Sequence, residues 1–207
     1  MFARSTTVRG RPEAIDDGIR QVRDQVLPAL QEMDGFVGLS MLADRETGRC
    51  IITTSWQDEA AISASREAVK GLRSRAVELL GGPEPEIREW EIATLHREHP
   101  ADLGACARVT WVKVRPELVD RQIEVFRGTI LPQLQDLPGF CSASLLVDRS
   151  SGRATGAIAY ASRQALEASR EATTRIRSEV IRTMEAELLD VGEFEVAIAH
   201  LRVPEMA

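Results

Sequence analysis

Two pairs of side chains in this 207-residue chain are able to hold or move charge, and each pair is separated by 104 positions. His96 and His200 carry imidazoles, which titrate near neutral pH. No acid or nucleophile recurs beside them at the spacing of a triad, so we treat them as weak proton-transfer candidates and assign no catalytic residue. Arg4 and Arg108 lie on predicted strands. A guanidinium buried there orients an anionic ligand or pairs with a core carboxylate, and the sequence leaves both open.

The three cysteines, Cys50, Cys106 and Cys141, are an odd number without metal-ligand spacing. This pattern predicts no metal site and favours a reducing compartment. The N-terminal residues lack the apolar core of a signal peptide, and no apolar run approaches the ~20 residues of a membrane span. We therefore expect a cytoplasmic protein that has no cofactor and no membrane partner.

The charge of the chain also bears on its partners. The formal net charge is -6 and the isoelectric point is near 5.3. Such a chain has no electrostatic reason to approach a polyanion. We therefore expect no nucleic-acid partner, and a small molecule remains the possible ligand.

One segment of the sequence occurs twice. "LPALQEMDGFVGLSMLADRETGR" at 27–49 returns as "LPQLQDLPGFCSASLLVDRSSGR" at 131–153, and the same shift aligns both copies of "SREA". A fixed period of this length is typical of a duplicated small domain. The sequence predicts a first domain at 1–97, a linker at 98–105 and a second domain at 106–207.

Within each repeat the hydrophobic pattern alternates between strand and helix periods in the order β-α-β-β-α-β. This order is the ferredoxin-like motif, an antiparallel sheet with two helices on one face, so the predicted fold class is α+β. Pro28 and Pro132 fall inside the first predicted helix of each repeat. Each proline should kink or break its helix, because it removes a hydrogen bond and clashes with the carbonyl four residues back.

A ferredoxin-like sheet has a second face that its helices leave uncovered. We assign Leu39, Met41 and Ile52 to that face, where they are too apolar to remain exposed. The sister repeat is the economical cover, since a two-fold interface becomes internal after gene fusion. The prediction is an internal pseudo-dimer whose two sheets pack as a barrel. The sequence leaves open whether the whole chain is a monomer or a homodimer.

Three features of the sequence indicate a resemblance to a known family. They are the element order, the "PGF" before the second strand, and the "TTSW" and "AIAY" ends of the third strands. The chain resembles the antibiotic biosynthesis monooxygenase family of the dimeric α/β-barrel superfamily, in tandem form. The family includes oxygenases that use no metal or flavin and act on electron-rich phenolic substrates. The resemblance implies a dry pocket between the sheet and the helices of each repeat.

This resemblance gives a set of ligand-pocket candidates that lie on the first strand, at the end of the third strand or on the second helix: Arg4, Thr7, Trp56, Ser65, Arg108, Trp111, Tyr160 and Ser169. Aromatic residues at sheet ends bury large areas in any case, so packing alone also accounts for several of them. Thr7 in the first copy is replaced by Trp111 in the second. We expect Trp111 to fill part of the second pocket and leave the first as the better ligand site.

The haem-degrading branch of the superfamily is a second resemblance that can be tested on the sequence. That branch uses an Asn on the first strand, a Trp on the second helix and a His ligand shortly after it. The corresponding stretches here, "STTV", "AISASREAVKGLRSR" and "ALEASREATTRIRSE", contain none of these residue types. We therefore do not expect haem degradation.

Two functions from different classes remain. In the first, the protein is a cofactor-independent monooxygenase acting on a small apolar or aromatic molecule. In the second, it is a non-catalytic binding or accessory protein that keeps the fold without an active site. A closed cavity of ~300 Å³ or more with convergent polar groups favours the first function, and a solid core favours the second.

Overall fold

The computed structural model describes residues 1–102, 104–201 and 203–206. In the first repeat the strands are β1 (Phe2–Arg9), β2 (Phe36–Ala43), β3 (Arg49–Trp56) and β4 (Glu86–Arg97), and the helices are α1 (Ile15–Gln21), α2 (Leu27–Gln31), α3 (Glu59–Ala68) and α4 (Lys70–Leu80). In the second repeat the strands are β5 (Cys106–Lys113), β6 (Phe140–Asp148), β7 (Arg153–Tyr160) and β8 (Glu187–Leu201), and the helices are α5 (Val119–Val125), α6 (Leu131–Gln135), α7 (Arg163–Ala168) and α8 (Arg170–Met184). The predicted α+β, ferredoxin-like order is confirmed in both repeats.

The strands bury alternate side chains, as the two-residue period of a strand requires. In β6, Ala143, Leu145 and Val147 are at most 3% exposed and pack with helix residues such as Phe126 and Leu134 in one core. In the first repeat, Leu39, Met41 and Ile52 belong to the equivalent core. Our assignment of these three to the face without helices was therefore wrong by one residue of strand register.

The first helix of each repeat is irregular where the sequence predicts it. A π-helical segment, Val22–Val26 or Phe126–Ile130, separates α1 from α2 and α5 from α6. Pro28 and Pro132 follow two residues later. The wider π turn brings the chain past the proline without the clash that a regular helix imposes. The predicted interruption at both prolines is confirmed.

A glycine begins the path from this helix into the next strand. Gly139 has a φ of +75°, and a Cβ added to it would lie 2.6 Å from the Cβ of Ala165. Both the left-handed backbone and the close approach of α7 therefore require glycine. Gly35 has the same φ against Ala61 in the first repeat.

The chain divides into two compact units that do not follow the repeats. Unit 1 contains residues 1–90 and 195–203, and unit 2 contains residues 91–194 and the residues from 204 onward. The predicted contiguous domains therefore need a correction, because each unit includes part of the other repeat's last strand. Residues 98–105, the predicted linker, lie between β4 and β5, and Leu103 is outside the described residues.

The exchange follows from the length of the last strands. The second half of β4 pairs with β6 in unit 2, from Glu91 opposite Val147 to Arg97 opposite Ser142. The second half of β8 pairs with β2 in unit 1, where Glu195 lies opposite Ala43. β4 has 12 residues and β8 has 15, whereas β1 and β5 have 8 each. Each last strand is therefore long enough to contribute to both units.

Candidate functional site

Each unit has a cavity between its sheet and its helices, as the resemblance implies. Cavity 2, in unit 2, measures about 100 Å³, and cavity 1, in unit 1, about 40 Å³. Every residue that lines cavity 1 has its counterpart 104 positions later in the lining of cavity 2. Neither volume reaches ~300 Å³. Cavity 2 is comparable to, but smaller than, the ~150 Å³ cavity that holds a benzene molecule.

A change from isoleucine to glycine on the third strand enlarges cavity 2. Ile52 lines cavity 1, and its counterpart Gly156 lines cavity 2. A Cβ added to Gly156 would find its nearest neighbour, Phe126 Cε2, at 3.8 Å, which is ordinary contact. The space is therefore left by the missing side chain and is not needed for the backbone.

The first helix of the repeat also differs between the two units, because unit 1 has a glycine where unit 2 has a glutamine. A Cβ added to Gly18 would lie 2.4 Å from Leu80 Cδ2, so α1 packs on α4 only because this residue is glycine. The counterparts of Gly18 and Leu80 in unit 2 are Gln122 and Met184, which both line cavity 2. A glutamine at this position requires α5 and α8 to leave room for it, and that room is part of the cavity.

Trp111 does not fill cavity 2, so that prediction was wrong. Thr110 and Val112 face the cavity, and the side chain between them points to the opposite face of β5. There Trp111 meets Phe194 edge to face, with ring centroids 6.4 Å apart. Thr7, its counterpart, is likewise absent from the lining of cavity 1. The larger cavity is the second, contrary to expectation.

The wall of cavity 2 is mainly apolar, and its larger side chains include Phe126, Ile130, Leu134, Leu145, Ile158 and Met184. Its polar members are two arginines, two threonines and one glutamine, namely Arg108, Arg177, Thr110, Thr173 and Gln122. A dry wall with a few polar groups fits a small apolar molecule that carries one or two polar atoms.

Arg108 is 2% exposed, and acceptors within unit 2 occupy all five of its N–H groups. Nε donates to Glu193 Oε1 (3.1 Å), Nη2 donates to Glu193 Oε1 (2.8 Å) and the Leu166 carbonyl (2.8 Å), and Nη1 donates to Ser169 Oγ (2.9 Å) and Thr173 Oγ1 (2.6 Å). Of the two roles that the sequence leaves open, the structure assigns Arg108 the ion pair with a carboxylate.

Arg4 makes nearly the same set of bonds in unit 1. It donates to Glu89 Oε1 from Nε (3.0 Å) and Nη2 (2.7 Å), to Ser65 Oγ (2.9 Å) and to the Ile62 carbonyl (2.6 Å). The position of Thr173 is occupied by Val69, which offers no acceptor. Because the network occurs in both units, we regard it as a part of the fold.

Each carboxylate of these networks also binds a helix arginine. Arg66 Nη2 donates to Glu89 Oε2 (2.6 Å), and Arg170 Nη2 donates to Glu193 Oε2 (2.8 Å). The bond from Arg66 is the largest effect on the pKa of Glu89 and lowers it. Burial is the largest effect on Glu193 and raises its pKa, but the bonds and charges of Arg170 and Arg108 outweigh it and hold the pKa below its usual value.

Two polar groups in the wall of cavity 2 are not used by the fold. Gln122 is 6% exposed, and its Oε1 is buried without a hydrogen-bond partner in the part of the chain that the structure describes. Arg177 donates from Nη2 to Thr174 Oγ1 (3.2 Å) and forms no ion pair with a carboxylate of the described residues. Burial lowers the pKa of Arg177, and the charge of Arg108 lowers it further.

Trp56 and Tyr160 are fully buried and line neither cavity. Trp56 Nε1 donates to Thr54 Oγ1 (3.0 Å). The Tyr160 ring lies 6.0 Å from the Arg108 guanidinium carbon, and burial raises the pKa of its phenol. Ser65 and Ser169 are bonded to Arg4 and Arg108 and do not line the cavities. Ser65, Ser169 and Tyr160 therefore support the arginines from behind the cavity wall.

The histidines lie away from both cavities. His96 Nδ1 contacts Glu205 Oε1, its Nε2 lies 2.9 Å from Gln135 Nε2, and its ring stacks on Phe140. His200 Nε2 lies 3.2 Å from Gln31 Nε2. Neither imidazole reaches a ligand in either cavity, so we assign no proton-transfer role to them.

Comparison with known proteins fits this architecture. A sequence model of the antibiotic biosynthesis monooxygenase family matches residues 1–70. The chain is also 50% identical over 206 residues to an uncharacterized protein of Mycobacterium tuberculosis H37Rv, Rv2557, covering 100% of this chain and 92% of that protein. The chain belongs to the antibiotic biosynthesis monooxygenase family.

Solved structures show the same fold for this family member. An anthrone oxidase-like protein superposes with a TM-score of 0.68 at 12% identity, covering 100% of this chain and 94% of that one. A heme-degrading enzyme from Listeria monocytogenes superposes with a TM-score of 0.51 at 10% identity, covering 95% and 99%. At a coarse level the family supports a monooxygenase-like role in binding a small molecule.

The residues of this family member do not fit a haem. No histidine lines either cavity in the described ranges, and no group of three His, Cys, Asp or Glu in those ranges is arranged to hold a metal ion. At about 100 Å³, cavity 2 is also well below the ~300–1,000 Å³ typical of cofactor sites. The described chain likewise has no helix long and apolar enough to cross a membrane.

Gln122 and Arg177 are the candidate residues that the sequence analysis missed. A signal for Gln122 is present in the repeat, because Gly18 becomes a large polar residue in the middle of a helix whose neighbouring side chains stay apolar. Arg177 gives no such signal, since Arg73 occupies the equivalent position in the first copy. Only the volume of the two cavities distinguishes these arginines.

Proposed function

We propose that this protein binds a small apolar or aromatic molecule in cavity 2 and oxidises it with dioxygen, without a metal or flavin. The observation that carries the proposal is the difference between the cavities. Of the two cavities, cavity 2 combines an opened apolar wall with a buried amide oxygen that has no hydrogen-bond partner among the described residues. Burying such a group costs about 1–3 kcal/mol, a cost that a ligand hydrogen bond offsets.

The charges around cavity 2 suit a substrate that reacts as an anion. Arg177 lies in the wall without a carboxylate partner in the described residues; burial lowers its pKa, and the nearby charge of Arg108 lowers it further. An anionic oxygen in the cavity supplies the missing partner. The protein therefore favours the deprotonated substrate by electrostatic stabilisation, and this lowers the barrier to electron transfer from substrate to dioxygen.

The reaction class follows from atom balance. A substrate methylene activated by a neighbouring carbonyl loses both hydrogens and gains one oxygen atom as a new carbonyl. The second atom of dioxygen leaves as water with those two hydrogens, so no external reductant is needed. No carboxylate or imidazole lines cavity 2 among the described residues, so the first proton passes to water.

A second function is favoured by the same observation. Without a base in the described wall, the protein is able to bind a small molecule and leave it unchanged, as a carrier or accessory protein would. In this case the cavity and its polar groups serve affinity alone. The two functions differ in oxygen consumption and agree in ligand binding.

Native mass spectrometry of the freshly purified full chain is the first test. We expect an added small mass that denaturation removes and that is absent from the Gly156→Ile variant, in which the new side chain occupies cavity 2 as Ile52 occupies cavity 1. Oxygen uptake is then measured with 1,3-cyclohexanedione, a single-ring compound with an activated methylene.

Oxygen uptake above the spontaneous rate, lost in Gly156→Ile, supports the oxygenase. A bound mass without oxygen uptake supports the carrier. An unaltered mass together with no effect of Gly156→Ile on either assay contradicts both functions. The matched control is Ile52→Val in unit 1, which leaves cavity 2 untouched.

A further inference from the structure

We infer that the ligand of cavity 2 is a small monoanion with an apolar body, whose hydroxyl or N–H group donates to Gln122 and whose anionic oxygen faces Arg177. This inference rests on the proposed function and names the chemical class of its ligand.

The first step concerns the donor on the ligand. Gln122 lines cavity 2 and is more than nine-tenths buried, and its Oε1 has no partner among the described residues. An amide oxygen accepts hydrogen bonds and does not donate them. A ligand that satisfies this oxygen must therefore present an O–H or N–H group, and an aprotic molecule leaves it unsatisfied.

The second step concerns the charge on the ligand. Arg108 is not available for an anion, because its five N–H groups already have acceptors in Glu193, Leu166, Ser169 and Thr173. Arg177 is the other cation in the wall, and its one hydrogen bond in the described chain goes to the neutral Thr174. An anionic oxygen beside Arg177 forms the charge-assisted bond that the protein leaves unmade.

The third step concerns size and orientation. Gln122 is the counterpart of Gly18, which packs against Leu80, the counterpart of Met184. Arg177 and Met184 are seven residues apart on α8, or about 10 Å along the helix axis. Gln122 on α5 and Arg177 on α8 thus line the cavity from two different helices. A single ring with a hydroxyl at one end and an acidic group at the other matches this arrangement.

Isothermal titration of the full chain with three matched probes tests the inference. 4-Hydroxybenzoate carries both groups, benzoate lacks the hydroxyl donor, and phenol lacks the anion. We expect wild-type protein to bind 4-hydroxybenzoate about tenfold more tightly than either analogue, because each analogue leaves one polar group of the wall unpaired.

Two variants separate the contributions. Gln122→Leu should remove the preference for 4-hydroxybenzoate over benzoate and leave the fold intact, since an amide without a protein partner contributes little to stability. Arg177→Gln should weaken the binding of 4-hydroxybenzoate and benzoate about tenfold and leave the binding of phenol unchanged. Arg73→Gln, the equivalent change in unit 1, is the matched control and should alter none of the three affinities.

The outcomes distinguish this inference from the proposed function. If Gly156→Ile abolishes binding but Gln122→Leu keeps the hydroxyl preference, or Arg73→Gln acts like Arg177→Gln, the cavity is the site and the ligand class is wrong. If the wild type binds none of the three probes at millimolar concentration, the ligand class is also overturned. The proposed function then still stands or fails on the native mass spectrum.

Discussion

The two cavities occupy the same place in two copies of one sequence unit, yet the second has more than twice the volume of the first. In unit 1, Ile52 and the close contact of Gly18 with Leu80 reduce the volume to about 40 Å³. In unit 2, Gly156 and Gln122 stand at the matching positions and the volume is about 100 Å³. The comparison teaches that, after duplication, one copy packed its core closely while the other retained open space between its sheet and its helices.

The comparison also distinguishes side chains that maintain the fold, which occur in both units, from side chains that are candidates for function. Arg4 and Arg108 make nearly identical bonds in the two units, so their networks maintain the fold irrespective of a ligand. A buried polar group that occurs in only one copy is the more informative feature. Gln122 is such a group, and its unsatisfied oxygen lies in the cavity that has space.

The largest expected effect is the loss of the buried arginine. Arg108→Met keeps the length of the side chain and removes five hydrogen bonds, and we expect unit 2 to lose about 3 kcal/mol of stability. Arg4→Met should cost unit 1 slightly less, because Val69 provides no acceptor where Thr173 accepts from Arg108. Hydrogen exchange measured by mass spectrometry reports the two units separately.

An equal loss in both variants would show that the Thr173 contact contributes nothing. A loss in either variant below about 1 kcal/mol, the level of an exposed ion pair, would contradict the structural role of these networks.

The next effect concerns cavity size. Ile52→Ala should cost unit 1 about 2–4 kcal/mol, because it removes packed methyl groups and leaves a void. Gly156→Ala should leave unit 2 unchanged or stabilise it by about 0.5 kcal/mol, since the new Cβ finds ordinary contacts and the unfolded chain loses freedom. Chemical denaturation of the two variants beside wild type measures both. A large cost for Gly156→Ala would mean that the space in unit 2 is not truly open.

The smallest expected effect is the change in stability with pH, which is negligible at neutral pH and develops in acid. The pKa values of Glu89 and Glu193 are lowered in the folded state, so the stability they contribute is complete above their unfolded pKa near ~4.3 and is lost as the pH falls through the folded value. We expect the melting temperature to fall as the pH decreases from 5 to 3.

Glu193→Gln and Glu89→Gln should each make that fall shallower, and by similar amounts, because the two networks are alike. Glu124→Gln, at an exposed position, is the control and should leave the profile unchanged. Different slopes for the two network variants would break the equivalence of the units.

Most of the fold could be predicted from the sequence because its determinants are local. The interval of 104 positions, the alternation of strand and helix periods, the positive-φ Gly35 and Gly139, and the interruption at Pro28 and Pro132 each depend on a few neighbouring residues. These features decide the element order. The buried Arg4 and Arg108 were also singled out correctly as groups that need a partner.

The site was harder to predict because it depends on which face of a strand each side chain occupies and on pairing between strands that are distant in sequence. Trp111 is a pocket candidate by its position on the first strand, but a strand turns alternate residues to opposite faces, and Thr110 faces the cavity instead. The continuation of β4 and β8 into the other unit has no local signal either. Gln122 becomes noticeable only once Leu80 is known to lie against Gly18.

The pairing of β8 with β2 has a consequence for synthesis. Strand β2 ends at Ala43, and its partner in β8 begins at Glu195, so about three quarters of the chain must be translated between them. During that time the edge of β2 is unpaired, and an open edge is prone to pair with other chains. The first copy to leave the ribosome therefore cannot finish folding until almost the last residue has been added, and crowding or slow translation should favour its aggregation.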